Sequence, residues 1–92
     1  MERTAKEQRI DHLYDLIASL RDGESCRAFF EDLCTAKELE KMAERCWAAK
    51  LLMEGYTYNQ VMERADISTA TLSRVSRCVQ YGKGYSVLLK KE

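Results

Sequence analysis

Residues 68–77 read STATLSRVSR, five hydroxylated side chains, one alanine and two arginines three apart. Hydroxyls can donate to or accept from base edges and phosphate oxygens, and a methyl of Ala70 or of a threonine suits a thymine methyl. The guanidinium forks of Arg74 and Arg77 match phosphate or guanine. No acid stands between Asp66 and the terminal Glu92. On a helix, Ser68, Thr69, Ala70, Ser73, Arg74 and Arg77 share the outward face. Thr71, Lys83 and the start of the preceding helix, Thr57, Tyr58 and Asn59, complete the set expected to face double-stranded DNA. The competing reading is a solvated face on a helical hairpin.

Such a face reads DNA only if a second helix props it at a fixed angle. Two helices joined by a short turn at about 90–120° need apolar side chains at the corner. Counted from Tyr58, the places a helix-turn-helix fills with apolar residues are four, eight, ten, fifteen and eighteen. Here they hold Val61, Ala65, Ile67, Leu72 and Val75. Asp66 takes the turn place usually given to glycine, and aspartate tolerates the left-handed conformation better than most residues. Met62 stands where a small residue is usual, which bears on how closely the two helices approach. Thr57 with Gln60 forms a capping box, and Ser68 is a good N-cap for the second helix.

Upstream of this pair the apolar period is helical throughout. Ile10, Leu13, Tyr14, Ile17 and Leu20 mark a first helix over about 4–21, opened by a Thr4–Glu7 capping box and closed by Gly23 as a C′ residue. A short helix over about 24–33 carries Cys26, Phe29, Phe30 and Leu33. A third, over about 36–54, opens on Thr35 and Glu38 and turns Leu39, Met42, Ala43, Cys46, Ala49, Leu52 and Met53 inward. From Cys46 to Met53 only Lys50 is polar. A chain of 92 residues rarely surrounds a helix on its own, which suggests a dimer sharing that helix; one well-buried helix in a monomer is the alternative. Trp47 reads as core or interface. Residues 82–92 read as a tail with a short amphipathic helix. The fold class is all-α in a single domain, with 1–54 for dimerisation and 57–81 as the helix-turn-helix.

The formal charge is zero, but it is unevenly placed. Residues 1–66 carry a net −4, while residues 67–91 hold Arg74, Arg77, Lys83, Lys90 and Lys91 and no acid. A positive end suggests a polyanion partner for that end. Cys26, Cys34, Cys46 and Cys78 form no C-x-x-C pair and His12 is the only histidine, so no metal site or other cofactor is expected. The charged N-terminus lacks a secretory core and the longest apolar run is CWAA, so no membrane segment is expected and the reading is cytoplasmic with reduced cysteines. No nucleophile–histidine pair, P-loop or dinucleotide fingerprint is present, so no enzyme is expected. A non-enzymatic rival to DNA binding is a helical module that uses the same surface to hold a protein.

Residues 29–82, FFEDLCTAKELEKMAERCWAAKLLMEGYTYNQVMERADISTATLSRVSRCVQYG, resemble the Trp-repressor-like family, and within it the YerC/YecD group. FFEDLCT, TYN and STATLSRVSRC carry the likeness. The resemblance implies an intertwined helical homodimer that binds operator DNA and represses amino-acid biosynthesis genes. Its symmetry implies a pseudo-palindromic site with half-sites about one helical turn apart. It also places Thr35, Arg45 and Arg74 at an amino-acid effector site. At the glycine that lines the family's indole slot stands Val75, and at a serine of that site stands Cys78. A valine there crowds out a flat bicyclic ring. The expected effector is therefore a smaller amino acid, such as histidine, rather than tryptophan, or there is none.

Overall fold

The computed structural model describes residues 2–90; Lys91, counted above among the basic residues, lies outside them. The described residues form six helices and no strand: α1 Ala5–Ala18, α2 Gly23–Leu33, α3 Ala36–Met53, α4 Tyr58–Ala65, α5 Thr69–Tyr81 and α6 Gly84–Leu89. The chain divides into two compact units after Thr35.

The first unit holds α1 and α2. Thr4 and Glu7 close the expected capping box: the Glu7 N–H donates to Thr4 Oγ1 at 3.1 Å and the Thr4 N–H to Glu7 Oε1 at 3.0 Å. Arg3 pairs with Asp11 across the first turns. The helix stops earlier than its apolar period suggests, with Ser19 as its C-cap. Gly23 is not the C′ residue of α1. It is the first residue of α2, because Asp22 captures the Ser25 N–H at 2.7 Å and starts a new helix there. Phe29 and Phe30 meet edge to face at 5.4 Å. No residue of either helix is buried, and Ile10, Tyr14, Leu16 and Leu33 are exposed.

The second unit is built on α3, against which α4, α5 and α6 all pack. Its core is Ala48, Ala49 and Leu51 from α3, Val61 and Ala65 from α4, Ile67 from the turn, and Leu72 and Val75 from α5. The buried face of α3 thus includes Ala48 and Leu51, which its period did not single out, while Ala43 and Cys46, expected inward, are exposed in the single chain. The buried residues of α3, Ala48, Ala49 and Leu51, all lie in its C-terminal half, and small alanines let a neighbouring helix approach closely. Trp47 remains half exposed, with the Lys50 ammonium 4.7 Å from its ring.

Helix α3 ends in a Schellman motif. The Gly55 N–H donates to the Leu52 carbonyl and the Tyr56 N–H to the Leu51 carbonyl, with Gly55 at φ +94°, a conformation open chiefly to glycine. This turn aims the chain into α4. The short helix expected within residues 82–92 forms as α6, which lays Tyr85 and Leu89 against the core.

Candidate nucleic-acid interface

The corner comes first, because it sets the angle of everything it carries. All five corner residues are buried: Val61 and Leu72 are fully enclosed, Val75 is 2% exposed, Ala65 5% and Ile67 8%. Fully burying a valine or leucine contributes about 1.5–3 kcal/mol, so the angle between α4 and α5 is strongly determined. Asp66 makes the turn at φ 54°, ψ 49° and its N–H donates to the Met62 carbonyl. That left-handed residue is the geometry its position required. Met62 packs half-buried against the core, and the Thr69 hydroxyl donates to its sulfur at 3.3 Å.

The caps then orient the exposed face. Thr57 Oγ1 accepts from the Gln60 N–H at 3.2 Å, and Gln60 Oε1 accepts from the Thr57 N–H at 2.9 Å. Ser68 Oγ accepts from the Thr71 N–H at 3.2 Å and donates to Thr71 Oγ1 at 3.0 Å. These hydroxyls are therefore engaged in starting helices. Thr57 and Ser68 lie on the exposed face, and their bonds position it. Thr71 is half-buried beneath it.

What remains free to reach outward is Tyr58 and Asn59 at the start of α4, Ala70, Ser73, Arg74 and Arg77 on α5, and Lys83 beyond it. All are exposed. Thr69 is exposed too, with its hydroxyl turned to Met62 and its methyl available. Ser76, on the opposite side of α5, is 6% exposed and accepts from Gln80 Nε2 at 3.5 Å. The surface of α5 is thus divided: valine, leucine and Ser76 inward, small residues and two arginines outward. Such a face offers short side chains where a groove floor would lie and cations where phosphates would flank it.

Of the residues implied at an effector site, Arg45 is half-buried on α3 and Arg74 is exposed on α5. Tyr85 of α6 packs partly buried against the core, and burial first of all raises the pKa of its phenol. Thr35 belongs to the other unit. Tyr85 was not among the sequence-derived site residues. Its signal was the i, i+4 pair of Tyr85 and Leu89 between Gly84 and Lys90. Among the described residues no three histidine, cysteine or acidic side chains gather as metal ligands, and no described helix is long and apolar enough to cross a membrane.

The comparisons with known proteins agree with this geometry. The family model described as Trp repressor protein matches residues 8–92. YerC of Bacillus subtilis is 45% identical over 75 residues, which span 82% of this chain and 72% of that protein. A candidate Trp repressor from Staphylococcus aureus superposes with a TM-score of 0.82 at 37% identity, covering 95% of this chain and 92% of the other. A TrpR-like protein from Eubacterium eligens superposes with a TM-score of 0.83 at 39% identity, covering 90% and 87%. With its buried helix-turn-helix corner and basic outer face, the chain belongs to the Trp repressor family of DNA-binding transcription regulators.

Proposed function

We propose that the protein is a homodimeric repressor that reads a pseudo-palindromic operator, with the exposed face of α5 in the major groove, and that its targets are amino-acid biosynthesis genes. The observation that carries the reading is the pairing of a fully packed corner with an acid-free outer face on α5. The corner makes the face rigid, and rigidity is what lets a few side chains discriminate bases. In this reading Thr69, Ala70 and Ser73 meet base edges, while Arg74, Arg77 and Lys83 meet phosphates.

Support for the homodimer comes from burial. Neither α1 nor α2 buries a residue within the chain, and Trp47 is 50% exposed on α3. A second copy is the natural cover for such stripes, and in this reading a two-fold axis should set the α5 helices about 34–36 Å apart, one turn of DNA. Assignment to amino-acid biosynthesis rests on the family alone.

Fluorescence anisotropy with fragments of the source genome, across a salt series, tests the reading. Affinity should fall as salt rises, with a slope of about −0.9 per phosphate contacted. Arg74→Ala should weaken all sites alike and reduce that slope, whereas Thr69→Ala should relax preference at one base position. No sequence preference together with no salt slope refutes it. Light scattering at micromolar concentration should give twice the chain mass of 10.7 kDa; a value near 10.7 kDa refutes the dimer. A single stoichiometric protein partner with no DNA shift would favour the protein-binding alternative.

A further inference from the structure

The start of α5 carries three hydroxyls, on Ser68, Thr69 and Thr71. Two of them direct their protons into the protein, and the third is half-buried. Ser68 Oγ donates to Thr71 Oγ1 at 3.0 Å while it accepts from the Thr71 N–H. The Thr69 hydroxyl donates to the Met62 sulfur at 3.3 Å, seven residues back and on the other helix of the pair. The hydroxyl-rich tip therefore presents less hydrogen-bonding capacity than its composition promises.

Met62 decides what Thr69 shows. Threonine is branched at Cβ, so one torsion sets both branches at once. With Oγ1 held toward α4, the methyl is the branch left free at an exposed position. Beside it stands Ala70, also exposed, whose side chain is itself a methyl. A small side chain in place of Met62 would offer no acceptor, and the Thr69 hydroxyl would be free to turn. The long thioether, itself packed against the core, is what reaches the first residue of α5.

We propose that Met62 is a specificity-determining positioning residue: by holding the Thr69 hydroxyl against α4, it makes α5 read the methyl of a 5-methylpyrimidine, thymine in ordinary DNA, at the base facing Thr69. This rests on the reading of α5 as the groove-facing helix. A hydroxyl free to turn donates equally well to thymine O4, guanine O6 or N7 and adenine N7, so it discriminates poorly. With its proton held on sulfur it donates to none of these. The methyl contact remains, and among the four bases only thymine answers it. Enclosing one methyl in that contact strengthens binding about fourfold.

The test uses duplexes that the wild-type protein selects from a randomised pool. Each thymine in turn is replaced by deoxyuridine, which removes the methyl and keeps every hydrogen-bonding group. Affinity is measured by fluorescence anisotropy at one salt concentration, with circular dichroism to confirm folding. One replacement per half-site should weaken wild-type binding about fourfold. Thr69→Val keeps the methyl without the hydroxyl and should show the same penalty, whereas Thr69→Ser keeps the hydroxyl without the methyl and should show none. Met62→Leu, similar in volume but with no acceptor, should shrink the penalty and admit a second base at that position. Without DNA, the urea midpoints of Met62→Leu, Thr69→Val and the double variant should be non-additive, since either change alone already breaks the bond. The proposal is overturned if a selective wild type ignores every thymine methyl, if Thr69→Ser keeps the penalty or Thr69→Val loses it, if Met62→Leu reads the position as wild type does, or if the two changes are additive. A wild type that selects no sequence overturns the operator reading and this proposal with it, so the two failures are told apart before any variant is made.

Discussion

Truncating Leu72 to alanine tests the corner on which the reading head depends. Leu72 is fully enclosed and is among the largest fully buried side chains in the protein. Leucine-to-alanine changes in such sites cost about 2.7–5 kcal/mol, the lost transfer energy plus a cavity that surrounding atoms only partly close. Here collapse is restrained, since Leu72 belongs to a corner clamped by the Asp66 turn and by the Ser68 cap. A loss of about 3–4 kcal/mol is therefore expected, out of a total of about 5–15 kcal/mol. With a urea slope of about 1–1.5 kcal/mol per molar, the midpoint followed by circular dichroism should fall by about 2–4 M at unchanged slope. Protein concentration must be held constant, because any subunit association adds to apparent stability. Leu88→Ala provides the contrast. That leucine is 85% exposed, so its removal should change stability by no more than about 0.5 kcal/mol. Equal losses for the two variants, or a loss below about 1 kcal/mol for Leu72→Ala, would refute the packed corner and with it the fixed angle of α5.

Two further outcomes are expected. Ser68→Ala should cost about 1 kcal/mol, seen as a lower urea midpoint, and should weaken DNA binding even if Ser68 touches no base, because it removes the bond that starts α5. Tyr85 has a raised pKa, chiefly through burial, so the folded state holds its proton more strongly than the unfolded state does. Its contribution is complete below the unfolded value of about 10 and is lost as pH rises through the higher folded value. The difference between wild-type and Tyr85→Phe stability should therefore narrow only above about pH 10; narrowing between pH 6 and pH 9 would contradict the burial of the phenol.

Much of the second unit was legible because its signals are local or follow from fixed helical geometry. The five corner residues could be counted off from Tyr58, since helix periodicity and a short turn leave few ways to pack two helices at that angle. The Thr4, Thr57 and Ser68 caps depend on residues three apart, so they too could be read directly. Gly23 could not be assigned that way. A glycine after RD suits either the end of one helix or the start of the next, and Asp22 decided the matter by bonding forward to the Ser25 N–H.

What the sequence determined alone was therefore the all-helical composition, the reading-head corner and the acid-free, arginine-bearing face of α5. Tertiary structure decided which side of α3 is covered, because that depends on where α4, α5 and α6 land: Ala48 and Leu51 are buried while Cys46 is not. It also decided the meaning of Tyr85. The core it packs against is built from residues of α3, α4 and α5, far from it in the chain, and no periodicity links positions so separate. Only the packing of α6 against α3 and α5 lays its ring on the core.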